Sequence, residues 1–209
     1  MRQDAEQSLV VEFEELFALR DRLRPVADEA RRRFAAAGLP DGLEAEVFDQ
    51  ELEFRGAGDS SLLIRLDSYH LEITGAPPDL PTHVLAAIVL EEAGAYRLLS
   101  VEVAWSLTAA VPAGRSLDLV HKAFSPADFG GSEPMLDRRF TMTWGWGTPT
   151  AGYVFEAAAA EDREIAIGFK AREGYLTLPE LQQGGWFAAH ARRFDGLLGR
   201  FFTQLGWSA

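Results

Sequence analysis

An α+β fold built on a mainly antiparallel sheet is what this sequence predicts, and three observations predict it. Apolar and polar residues alternate with a period of two in six stretches after residue 46. Helical spacing of three and four residues marks both ends of the chain and one stretch in its middle. Strands and helices do not follow one another in regular alternation, which argues against a doubly wound parallel sheet. The expected molecule is a single domain, 1–209, with about six strands, an N-terminal helix, a buried middle helix and a long C-terminal amphipathic helix. Two sub-parts are expected within it: helix, hairpin and helix over 1–94, and sheet plus C-terminal helix over 95–209. Each half then holds strands and an amphipathic helix, the minimum for a structural pseudo-repeat.

The elements follow in order. Leu16, Leu19, Leu23, Val26, Ala30, Phe34 and Ala37 recur at helical spacing, with Pro25 inside the pattern. That predicts either a kink at Pro25 or two helices, near 9–23 and 25–37, ended by Gly38 and Pro40. Phe48, Gln50, Leu52 and Phe54 then oppose Asp49, Glu51, Glu53 and Arg55, a strand with one wet side. Gly56-Ala57-Gly58-Asp59 is a turn. Leu62, Ile64 and Leu66 alternate, and Tyr69, Leu71 and Ile73 continue with the opposite parity, which predicts a β-bulge at Asp67-Ser68. Residues 46–73 thus read as a hairpin with an acidic exposed face.

Asp79 can cap a helix over 80–93 that is apolar nearly all round and therefore buried on most sides. Leu99, Val101, Val103, Trp105, Leu107 and Ala109 face one way along a long strand, 98–109. Residues 110–138 are irregular, with a short helix expected at 115–123. Phe140, Met142, Trp144 and Trp146 alternate with Thr141, Thr143, Gly145 and Gly147, and strands follow at 152–160 and around Ile165, Ile167 and Phe169. Phe187, Ala191, Phe194, Leu197, Leu198, Phe201 and Leu205 form the stripe of a last helix, 185–205.

Composition narrows the function. The chain has no cysteine, which excludes disulfides, a Cys zinc site, an iron–sulfur cluster and a thiol nucleophile. No apolar run approaches the length of a spanning helix, and the first nine residues carry Asp4 and Glu6 in place of the apolar core of a signal peptide, so a soluble cytoplasmic protein is expected. The net charge of −12 argues against nucleic acid and against anionic membrane surfaces as partners. Residues 44–112 alone hold 3 basic and 12 acidic groups. An acidic face over Glu44, Glu46, Asp49, Glu51 and Glu53 therefore suits a partner protein with a basic surface, as well as plain solubility.

Motifs of common chemistries are missing: no phosphate-binding G-x-x-x-x-G-K, no G-x-S-x-G elbow and no H-E-x-x-H. Asp118 and His121 share one helix face but are too few for a metal site, His190 falls on an apolar face, and no metal or cofactor is expected. Trp144 and Trp146 point to the same side of one strand, with bare Gly145 and Gly147 between and beyond them. With Trp105 they read either as core or as the wall of an apolar pocket closed by the last helix, where Arg138 and Arg139 can meet an anionic group. A sheet wrapped on a long C-terminal helix, 139–207, is loosely similar to helix-grip, lipid-binding proteins of the START type, from which a helix at the start of the chain departs. Phe201, Phe202 and Trp207 are candidates for a homo-oligomer contact. The leading expectation is a non-enzymatic, intracellular macromolecule-binding protein of adaptor, assembly-factor, chaperone or immunity type. The alternative is a binder of small apolar molecules, or an enzyme on such a pocket.

Overall fold

The computed structural model describes residues 3–39, 42–57, 60–110, 141–147, 151–161 and 164–204. Among the described residues nine strands form one antiparallel sheet, and helices cover one of its faces. The elements are β1 (Gln3–Phe13), α1 (Leu23–Ala36), β2 (Glu44–Val47), β3 (Leu52–Arg55), β4 (Leu63–Leu66), β5 (His70–Ala76), α2 (Thr82–Ala93), β6 (Leu98–Ala110), β7 (Thr141–Gly147), β8 (Ala151–Glu161), β9 (Glu164–Gly174), α3 (Leu178–Gln183) and α4 (Gly185–Gln204). The α+β class, the middle helix and the long last helix match the sequence pattern, while the strand count rises from about six to nine.

The strand order is β2-β3-β4-β5-β1-β6-β9-β8-β7. It has a two-fold logic. β1 lies beside β5, then β4 and β3; β6 lies beside β9, then β8 and β7. In each half a helix follows the inner hairpin strand: α2 after β5, and α3 with α4 after β9. β1 and β6 pair antiparallel along their whole lengths and join the halves.

Four local expectations are corrected. A strand, not a helix, opens the chain: Leu9, Val11 and Phe13 point into the core, and the alternation continues back through Gln7 and Ala5. Gln7 is buried among apolar neighbours, and its amide donates to the Leu80 carbonyl, so a polar residue at a core position interrupts the apolar pattern. Pro25 sits in the first turn of α1, where its missing N–H costs nothing, so no kink is needed. Phe48–Glu51 is a turn joining β2 to β3, closed by the Phe48 N–H on the Glu51 carbonyl at 2.8 Å. Asp67-Ser68 is likewise a hairpin turn rather than a bulge, in which Asp67 Oδ1 accepts from the backbone N–H groups of Tyr69 and His70, both at 2.7 Å.

True bulges lie elsewhere. Leu99 is an extra residue between the pairs Glu12–Ser100 and Phe13–Leu98, which turns it away from the core face. Thr74 and Gly75 together oppose Ser8, with Gly75 at φ +63°. Asp79 makes no cap; Pro81 occupies that position of α2. The short helix α3 carries a reciprocal cap that its sequence Thr177-Leu178-Pro179-Glu180 announces: the Glu180 N–H donates to Thr177 Oγ1, and the Thr177 N–H to the Glu180 carboxylate.

The core lies between sheet and helices. α1 meets the sheet at Phe34, whose ring stands edge-on to Phe54 at 5.5 Å. α2 covers β5 and β1. α4 crosses the strands of the other half, so that residues seven apart meet a row of rings: Phe187 on Trp105 at 5.0 Å, Phe194 on Phe169 at 5.6 Å, and Phe201 on Phe155 at 5.9 Å. Helix coverage is thus shared among α1, α2 and α4, unlike a sheet gripping one helix.

Gly75 and Gly38 have nearly the same positive φ, but only at Gly75 would a Cβ overlap backbone, the Ser61 carbonyl. Gly38→Ala should cost about 1 kcal/mol and Gly75→Ala about 3 kcal/mol or more in denaturant titrations. Equal losses would show that the bulge does not constrain this position.

Candidate interaction surface

The five acidic residues of the hairpin end up in three different settings. Glu44 and Glu46 are exposed on β2, the edge strand of the sheet, where charge also discourages pairing with another chain. Glu53 is enclosed: its side chain is only 6% exposed, with Arg55 at 2.6 Å and Arg65 at 3.0 Å. The hydrogen bonds from Arg55, ahead of those from Arg65, hold its carboxyl below the usual range despite burial. Arg65 reaches Glu51 at 2.6 Å and Glu72 at 3.8 Å as well. Desolvation pushes the Glu51 carboxyl up. Asp49 stands in the β2–β3 turn, exposed, with Arg20 at 3.8 Å. The register rows Glu46–Glu53–Arg65–Glu72 and Glu44–Arg55 therefore hold a charge network, and a continuous acidic face does not form.

A different feature emerges at one end of the sheet. The strand directions bring together there the end of β1, the β2–β3 and β4–β5 turns, the start of β6 and the end of β9. Every large apolar or aromatic side chain exposed among the described residues lies at this end: Val47 and Phe48, Phe17, Tyr69, Tyr96, Leu99 and Tyr175. Phe17 is 86% exposed, Tyr175 80% and Tyr96 66%. From β2 to β9 the row spans six strand spacings, about 29 Å.

Backbone bonds fix the segments that carry it. The Phe13 N–H donates to the Tyr69 carbonyl at 3.0 Å, Glu14 to Arg97 at 3.1 Å, Leu16 to Ser68 at 3.0 Å and Tyr175 to Leu99 at 3.3 Å. Tyr175 is the one non-glycine residue with positive φ, +63°, among the described residues. An aromatic residue in that conformation is strained by about 1 kcal/mol and yet projects into solvent. A hydrogen bond to Glu15 pushes the Tyr69 phenol up. Glu14, Glu15, Asp21, Asp49 and Asp67 surround the row, against Arg20 and Arg97.

The residues suggested for an apolar pocket divide. Trp105 is buried, held by Phe169, Phe187 and Phe194 as part of the core. The register sets Trp144 opposite Phe155 and Trp146 opposite Tyr153. Their side chains, Arg138, Arg139, the 115–123 helix and Trp207 lie outside the described residues. Phe201 and Phe202 are buried against the sheet and each other, so they do not form an exposed oligomer contact. No three His, Asp or Glu side chains converge on a metal-sized site among the described residues. No protein-family model matches this chain, and no curated protein sequence matches it.

Among the described residues His190 is the most perturbed histidine. It is buried among the rings of Trp186, Phe169 and Tyr153, and its Nδ1 lies 3.2 Å from the Arg193 guanidinium, which donates to it. Burial, then the charge of Arg193, pushes its pKa from 6.5 down to about 4. His83, packed on Phe187, is also pushed down by burial. A ring that stays neutral in the folded chain contributes fully above pH 6.5, and the contribution drains away as pH falls toward 4. Between pH 7 and pH 5 the protein should lose about 2 kcal/mol more stability than its His190→Gln variant. Parallel pH profiles in denaturant titrations would refute the assignment.

Proposed function

We propose that this protein works by binding another macromolecule, a polypeptide with basic and apolar side chains, through the aromatic end of its sheet. The observation that carries this reading is that the exposed large apolar side chains of the described residues all lie at one end. Single exposed apolar residues are ordinary, but a contiguous group rimmed by charge marks contact surfaces. Tyr and Phe are the residue types enriched at the centres of such contacts.

The acidic rim supports the basic character of the partner. Asp49 and Asp21 stand in solvent, one residue after Phe48 and four after Phe17 in the chain, and charges so placed accelerate encounter with a positive surface more than they tighten the final complex. The sequestration of Glu53 moves the expected contact from the flat of the hairpin to its turn. A binding role also fits the backbone strain at Tyr175, since strain in an exposed aromatic brings no packing in return.

Photoreactive phenylalanine analogues at positions 17 and 175 test this in the full chain, in its own host. They should crosslink a polypeptide partner, whereas the same analogue at Val10 or Val154, on the open face of the sheet, should not. With that partner, Phe17→Ser and Tyr175→Ser should each speed dissociation roughly tenfold. Asp49→Asn with Asp21→Asn should slow association at low salt. Equal capture at all four positions, or at none, would sink the proposal.

A further inference from the structure

We infer that the cleft between α4 and β8 binds a phosphate group carried by a small molecule. The cleft is open, has a volume of about 380 Å³ and is lined by Tyr153, Ala189, Arg192, Arg193, Gly196, Leu197 and Arg200. Its volume suits a small ligand. Three guanidinium groups border one space in a chain of net charge −12.

Many cations on the surface are paired with carboxylates, whereas the arginines of this cleft, like Arg24 and Arg31 of α1, are not so paired among the described residues. Arg33, Arg55, Arg65, Arg97, Lys170 and Arg172 each lie against a carboxylate. Arg192, Arg193 and Arg200 have no carboxylate within ion-pair distance among the described residues. Arg193 is nevertheless held in place, its guanidinium 4.3 Å from the centre of the Tyr153 ring and 3.2 Å from His190 Nδ1. Ordering a long side chain costs entropy in advance of binding, and an arginine so held keeps N–H groups to spare.

Gly196 lies between them. It is four residues after Arg192 and four before Arg200, so all three share one face of α4, with the two arginines about 12 Å apart along the axis. Glycine weakens a helix interior relative to alanine. A Cβ at Gly196 would meet no atom within 4 Å, so the protein's own packing does not call for glycine here. A bare backbone in the lining of a cationic cleft admits an anion closer than a side chain there would.

The number of charges selects the anion. A phosphate monoester carries close to two charges on three terminal oxygens, which arginine forks engage in pairs. A carboxylate, with one charge and two oxygens, would leave guanidinium groups unmatched. Leu197 and Ala189 supply an apolar wall for the rest of the molecule. The phosphate can belong to a soluble ester or to a lipid headgroup.

The test titrates the full chain at low ionic strength with inorganic pyrophosphate and adenosine 5′-monophosphate, and by flotation with phosphatidylcholine vesicles containing phosphatidic acid. Saturable binding is expected. It should weaken roughly tenfold or more in Arg192→Gln/Arg200→Gln, and stay unchanged in Arg24→Gln/Arg31→Gln, two exposed arginines of α1. Gly196→Ala should raise the melting temperature by roughly 2 °C while weakening binding, a combination that a purely structural glycine does not produce. Binding to the soluble phosphates assigns the site to a free ester; the same variant pattern on vesicles alone assigns it to a lipid headgroup. Absence of saturable binding to every probe, or equal loss in both arginine pairs, would overturn the inference.

Discussion

The antiparallel pairing of β1 with β6 is the interaction on which the rest of the molecule depends. Its register runs from Gln3–Ala109 to Phe13–Leu98 and joins two halves that each hold a meander and helices. Leu9, Val11, Val101, Val103 and Trp105 come side by side on the covered face and give α2 and α4 a common floor. The same pairing brings the end of β1 beside the start of β6. Phe17, Tyr96 and Leu99 share one end of the molecule for that reason, joined by Tyr69 through β5 and by Tyr175 through β9.

A sheet with helices on one face must keep its other face wet and unattractive to further strands. This one does so with small and charged residues. Ser100 Oγ donates to Glu12 at 2.6 Å, Arg172 reaches Glu12 at 2.9 Å, and Lys170 meets Glu102 at 3.1 Å. Such exposed pairs add little stability individually. They keep the open face polar, with Glu44 and Glu46 on the edge strand. Against that background the aromatic end stands out in kind, since the large exposed apolar side chains of the described residues lie there. The arginines of α4 stand out in the same way, as a positive cluster without carboxylate partners among the described residues.

Much of the fold was legible in the sequence because burial on one face leaves a period. The strand at Leu98–Ala110, the all-apolar helix Thr82–Ala93 and the stripe of Gly185–Gln204 each carry a one-dimensional signature of their environment. β1 escaped because Gln7 occupies a core position and breaks the alternation, its amide satisfied by the distant Leu80 carbonyl. The β2–β3 turn escaped because Phe48 and Gln50 continue the parity of Leu52 and Phe54 through residues that are turning back. The reciprocal cap at Thr177 and Glu180 was readable from its spacing, since that device is local.

The sequence by itself determined the class of fold, the helix-covered and open faces of most strands, and the acidic balance, because these follow from the order of apolar and charged side chains along each element. Only the tertiary structure decided what lies beside what. Glu53 changed from a surface charge to an enclosed one when Arg55 and Arg65 closed over it. Phe17, Phe48, Tyr69, Tyr96 and Tyr175 became one surface, though more than 150 residues separate the first from the last. Strand order and direction set these distances, and both are chosen by long-range pairing, for which no short stretch of sequence carries a mark.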